Sequence, residues 1–146
     1  VYIPASFPDT VRDMITRHGA KCVDVSGPMK ISDFVYTTGE LYGPPEEQSL
    51  IVNSKKGLVV ITGCAHPGIV NIVRRVEELT GRSEVYLVVG GFHHPPVSVV
   101  DELRVLGVKK AAPSHCTGDF VRGVFREKWG NDFIEFGVGK MVEIDC

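Results

Sequence analysis

Three histidines stand where an apolar run stops and a helix is expected to begin. They are His66 in Thr62-Gly63-Cys64-Ala65-His66-Pro67-Gly68, His93 in Gly90-Gly91-Phe92-His93-His94-Pro95, and His115 in Pro113-Ser114-His115-Cys116-Thr117-Gly118. Neutral imidazole is the commonest metal ligand in proteins. In an open α/β sheet the loops that follow the strands gather at the carboxyl edge, where ligands bind. Three imidazoles delivered to one such edge predict a divalent-metal site. His66 and His115 are expected to approach closely enough to share it. The chain contains no His-x-His pair and no Asp-His step, so these loops are expected to hold only part of a ligand set.

Each candidate has an ordinary reading beside the chemical one. His115, flanked by small polar residues at a strand end, can turn a ring nitrogen into a cleft or hydrogen-bond its own loop. His66 sits between Gly63 and Gly68, which let the backbone turn tightly, and Pro67 suits the start of a helix; the alternative is a capping or surface histidine. Cys64 offers a thiolate, a good zinc donor, or serves as a small buried hydrophobe. His93 and His94 are neighbours, and adjacent side chains in an extended segment point to opposite sides; His93 is the one expected to face the site, or else to line it without binding. Cys116 reads as packing or as an outer partner of the ligands. His18, Cys22 and Cys146 read as structural.

Other chemistries lack their motifs. Gly137-Val138-Gly139-Lys140 is followed by Met141 and not by Ser or Thr, so it is no phosphate-binding P-loop. No Gly-x-Ser-x-Gly elbow is present. None of the four cysteines forms a Cys-x-x-Cys pair, which removes a zinc ribbon or a thioredoxin motif. Their sparseness argues for a reducing, cytoplasmic setting. A net charge of −2 argues against nucleic acid or an anionic membrane as partner. With 43% hydrophobic and 23% charged residues among 146, the composition is that of one globular domain. The chain opens Val1-Tyr2-Ile3 as if within a strand, which raises the expectation of a fragment.

The elements that would position these residues are legible from periodicity. Strands are predicted at 1–3, 21–25 and 34–37, with a helix over 10–18 capped by Asp9. An exposed loop is expected over 39–48. Residues 50–52 and 58–61 read as a hairpin around Asn53-Ser54-Lys55-Lys56-Gly57. Helical spacing then runs from Ile69 through Ile72, Val73, Val76 and Leu79 to a stop at Gly81. Residues 85–89 read as a strand buried on both faces. A helix over 98–106 capped by Ser98, a strand over 108–112 and a helix opened by Asp119, with Phe120, Val124 and Phe125 on its apolar side, follow. Two short β segments, 133–136 and 141–144, close the chain. Strand, loop and helix thus recur three times from Leu58, an α/β layered architecture.

Three segments together carry a family resemblance: Leu58 to Asn71, Val89 to His93, and Pro113 to Gly118. They resemble the carboxyl-terminal half of the metallo-β-lactamase-fold hydrolases, in particular the subgroup of 7,8-dihydropterin-6-methyl-4-(β-D-ribofuranosyl)-aminobenzene-5′-phosphate synthases. The resemblance implies that residues 1–146 are a single partial domain, the second half of a four-layer αββα sandwich. It implies a one- or two-metal centre, with zinc expected and manganese or iron as alternatives. The family's His-x-His-x-Asp-His cluster would lie in the preceding half. His115 matches the family's last histidine ligand. Cys64 falls where many relatives have a bridging aspartate, and His66 matches the subgroup's Gly-Cys-x-His. Many relatives also have a histidine before the hairpin; here stands Pro45-Glu46-Glu47-Gln48, so either a carboxylate substitutes or the site has fewer ligands. A small-molecule substrate is implied, a phosphorylated pterin precursor in this subgroup. An isolated half would be inactive, would leave its inner sheet face uncovered and would self-associate. A non-catalytic half-domain or binding module, and less readily a nucleotide-binding α/β domain, are the other readings.

Overall fold

A computed structural model describes all residues, Val1–Cys146. The second half of the chain builds the sheet edge that matters. β6 (Gly57–Ile61), β7 (Val85–Gly91) and β8 (Lys110–Ser114) are parallel neighbours in that order. They are joined through α2 (Ile69–Thr80) and α3 (Val99–Val105), and α4 (Asp119–Trp129) follows β8. Strands that advance in one direction by right-handed crossovers leave their helices on one face. The packing bears this out. Ile72, Val76, Val100, Leu103, Phe125 and Trp129 from the helices share one cluster with Leu58, Val60, Val88 and Ala111 of the sheet.

The antiparallel part extends the same sheet. β3 (Met29–Lys30), β4 (Val35–Thr37) and β5 (Leu50–Ser54) pair in sequence with one another and then with β6. β1 (Tyr2–Pro4) and β2 (Val23–Val25) form a separate parallel pair joined through α1 (Asp9–Arg17). α2 shows why the periodic reading works. Ile69, Ile72, Val73 and Val76 are each at most 1% exposed, and Gly81 ends the helix at φ 66°, its N–H donating to the Glu77 carbonyl at 2.8 Å. Trp129 closes α4 against α3: its indole N–H donates to the Val100 carbonyl at 3.1 Å, and the Arg104 guanidinium lies 3.9 Å from its ring centre.

Several expectations are corrected. Pro8, not Asp9, precedes the first turn of α1, and neither it nor Ser98 before α3 makes a side-chain capping bond. Ser98 lies in helical geometry itself, so its carbonyl joins the ladder instead. α1 buries no residue, and His18 is an exposed helix end, its Nδ1 2.8 Å from the Met14 carbonyl. Cys146 is exposed as well. On α4 the buried residues are Val121, Phe125 and Trp129, whereas Phe120 is 75% exposed. A short strand at Met29–Lys30 was not anticipated.

The last correction concerns the second face of the sheet. Residues 133–136 and 141–144 are not strands; one isolated bridge, Ala111 with Phe133, is all the ladder they form. Their alternation serves another purpose. Ile134, Phe136, Val142 and Ile144 pack over Val59, Leu87, Val89 and Ala112. Glu135 anchors this segment by pairing with Arg122 and Arg126 of α4, and the Asp145 carbonyl accepts the Lys55 N–H at 2.8 Å. The face expected to be bare is thus covered by the chain's own tail, though Val138 and Met141 remain exposed. Replacing both Phe136 and Ile144 with Ser is expected to lower unfolding free energy by about 1 kcal/mol for each half-buried side chain. It should also raise binding of an apolar dye. Equal denaturation midpoints for the double variant and the parent would show that the tail contributes no packing.

Candidate metal centre

The three loops after β6, β7 and β8 open on one edge, as parallel strands require. Their backbones are held there by polar contacts among the loops themselves. Gly91 N–H donates to the Gly63 carbonyl at 2.9 Å, Thr62 Oγ1 to the Gly91 carbonyl at 3.0 Å, and His94 N–H to the Cys116 carbonyl at 2.9 Å. Thr117 Oγ1 accepts the Phe92 N–H at 3.1 Å and donates to the Ser114 carbonyl at 2.7 Å. Gly90 and Gly91 permit the approach. A Cβ on Gly91 would fall 2.6 Å from the Gly63 carbonyl oxygen and 2.8 Å from Cys116 Sγ. Every non-glycine residue with positive φ lies in these loops: Ala65 at 60°, His93 at 46°, His94 at 44° and His115 at 47°. Such geometry is uncommon for side-chain-bearing residues and clusters at functional sites.

Two groups of atoms able to ligate a metal result, and Cys64 belongs to both. Cys64, His115 and Cys116 bring ligand atoms within 4.8 Å of one another, and so do Glu47, Cys64 and His66. His66 is held firmly. Its Nδ1 is 2.5 Å from Glu47 Oε1, its backbone N–H donates to Glu47 Oε2 at 3.0 Å, and the two side chains are 19% and 15% exposed. A carboxylate behind an imidazole is how proteins orient metal-binding histidines. The loop carrying Glu47 sits tightly on the His66 loop: a Cβ on Gly43 would fall 2.5 Å from Pro67 N. Part of the expected exposed loop 39–48 is therefore wall.

Burial first, then the hydrogen bond and charge of Cys116 and the charge of Glu47, push the Cys64 thiol above its ordinary value. A bound divalent cation reverses that preference, since a coordinating thiol is deprotonated outright. Soft sulfur and imidazole nitrogen within a few ångströms form a donor set that fits zinc or iron.

The geometry thus places His66 and His115 each in a group with Cys64 but not with one another. His93 is in neither group; its ring lies against His66, centroids 4.2 Å apart at 51°. His94 stands 6.0 Å from the His93 ring, and a Cβ on Gly118 would meet its Nδ1 at 3.3 Å. In the stretch before the hairpin, Glu47 is the carboxylate that stands beside His66. Cys116, read as packing or as an outer partner, has its sulfur within 4.8 Å of ligand atoms of Cys64 and His115. A cleft of about 530 Å³ adjoins His115 and Ser114, with Ile61, Leu87, Val89 and Phe136 among its apolar walls and Lys140 at its border. A second cavity of about 450 Å³ lies at the hairpin end and holds no histidine or cysteine.

Glu47→Gln is expected to weaken metal binding by about 10–100-fold, the usual cost of losing an outer partner of a ligand, while thermal stability changes little. Chelator competition measures it; unchanged affinity would mean that Glu47 does not act through His66.

No protein-family model matches the sequence. The chain is 38% identical over 104 residues to a 7,8-dihydropterin-6-methyl-4-(β-D-ribofuranosyl)-aminobenzene-5′-phosphate synthase of Methanocaldococcus jannaschii, covering 67% of this chain and 35% of that protein. It is 35% identical over 91 residues to an uncharacterized protein of the same organism, covering 59% of this chain and 34% of that one. The chain thus spans about a third of the length of the curated relatives it matches. Among solved structures, a metal-dependent hydrolase of the β-lactamase superfamily superposes with a TM-score of 0.73 at 26% identity, over 87% of this chain and 59% of that one. The chain shares that protein's α/β fold, and its sequence resembles the synthase. No helix is long and apolar enough to cross a membrane.

Proposed function

We propose that residues 1–146 form a partial domain that supplies the carboxyl-terminal side of a divalent-metal centre in an enzyme of the metallo-β-lactamase superfamily. Cys64, His66 and His115 are its ligands, and His93, whose ring lies against His66, joins them from the loop after β7. Zinc is the expected ion. The observation that carries this reading is the sharing of Cys64 by two ligand groups at one sheet edge. The remaining ligands come from a His-x-His-x-Asp-His cluster outside these residues, so this chain alone turns over little or no substrate.

A metal there would lower the pKa of a bound water towards ~7 and polarise the reacting group. The chain's own residues do the rest. Glu47 orients His66, and the glycine pair holds the loops of Cys64 and Cys116 together. The cleft beside His115 offers apolar walls for a flat ring and the Lys140 ammonium for an anionic end. That combination suits a phosphorylated pterin-type molecule, the class named for the synthase relative. The test is metal analysis of the full-length protein after loading with zinc, manganese or iron, followed by assay on phosphorylated pterins. Stoichiometric metal with turnover supports the reading; a protein that retains no metal under any loading overturns it.

A further inference from the structure

Cys116 has a placement that packing does not explain. It follows His115, and in an extended segment two adjacent side chains would face opposite ways. Here His115 takes φ 47° and opens a 3₁₀ turn over His115–Thr117. That turn puts the ligand atoms of His115 and Cys116 on one side, both within 4.8 Å of the Cys64 sulfur. A non-glycine residue at positive φ costs on the order of 1–3 kcal/mol and persists only where the surroundings enforce it.

The sulfur is also provided for. It accepts the His93 N–H at 3.2 Å and lies 3.6 Å from the Cys64 carbonyl. Gly91 leaves it room, since a Cβ there would sit 2.8 Å away. Cys116 is half-buried and free, not sealed in the core as a cysteine acting only as a small hydrophobe would be.

On these grounds, and resting on the metal centre set out above, we propose that Cys116 is itself a metal ligand, so that the centre carries two thiolates, Cys64 and Cys116, beside His115. On binding, each thiol releases its proton to solvent and forms one sulfur–metal bond. Two thiolates and an imidazole select a thiophilic ion such as zinc or iron(II) over magnesium or manganese.

Cobalt(II) loaded into the full-length protein tests this, because each thiolate bound to cobalt adds a sulfur-to-metal charge-transfer absorption. Cys116→Ser is expected to lower that absorption to about half of the parent's, Cys64→Ser to do the same, and the double variant to abolish it. Should Cys116→Ser fold poorly, alkylation of the unaltered protein decides. Zinc should slow modification of Cys64 and Cys116 by about tenfold or more, and leave the exposed Cys146 unaffected. Full absorption in Cys116→Ser, or zinc protection of Cys64 without Cys116, overturns the two-thiolate centre and leaves the metal site standing. No absorption and no protection in the unaltered protein overturns both.

Discussion

His115→Ala in the full-length protein is expected to lower metal affinity by more than the roughly 10–100-fold that loss of an outer partner costs, and turnover with it. The side chain is exposed at the end of β8, so its removal opens no cavity, and thermal stability of the metal-free protein should stay within about 0.5 kcal/mol of the parent. On the proposed ligand set, affinity falls because one donor beside Cys64 disappears, and turnover falls because the metal must be retained to act. His18→Ala is the control. His18 is exposed at the end of α1 and touches only the Met14 carbonyl, so metal content and rate should not change. Metal content by elemental analysis and rates on a phosphorylated pterin measure both. A His115→Ala protein that keeps its metal and its rate would make His115 a structural residue.

Much of the fold is written in the chain from Leu58 onward, and for a local reason. Ile69, Ile72, Val73 and Val76 recur at helical spacing because one helix face meets one sheet face. Gly81 and Gly107 mark the helix stops because they adopt positive φ there. Where the determinant is tertiary, local reading fails. The apolar alternation of Ile134, Phe136, Val142 and Ile144 looks like two strands, but those side chains cover a sheet face without a ladder. Val11, Met14 and Ile15 look like a core stripe, yet α1 buries none of them. Phe120 fits the helical spacing but falls on the open side of α4, where Val121 packs instead.

The candidate site divides the same way. The convergence of the loops that carry Cys64, His66 and His115 was legible because strand topology alone sends them to one edge. The role of Glu47 was not, because it depends on a loop folding back across 19 residues to reach His66. Only its odd position, a carboxylate before the hairpin, hinted at it. The grouping of Cys116 with His115 and Cys64 was not legible either, because it depends on the turn that His115 makes at φ 47°. The sequence signal for the close approach at Cys116 is Gly90-Gly91, a pair that a strand interior tolerates poorly unless another chain segment must come close.

That pair yields the other large effect. Gly91→Ala is expected to lower unfolding free energy by about 2–3 kcal/mol through overpacking, and to weaken metal binding as well. The added Cβ would lie 2.6 Å from the Gly63 carbonyl oxygen, 2.8 Å from Cys116 Sγ and 3.2 Å from Cys64 Cα. Two of these neighbours are backbone atoms that cannot step aside, so the loops of Cys64 and Cys116 must part. Gly63→Ala, in the same loop, separates this clash from the mere presence of an extra methyl. Nothing lies within 4 Å of its Cβ position and its φ is not positive, so it should be neutral to within about 0.5 kcal/mol and keep its metal. Chemical denaturation of the metal-free proteins and chelator competition of the loaded ones give the two readouts. If Gly91→Ala matched Gly63→Ala in both, the close approach of the three loops would not be what holds the ligands together.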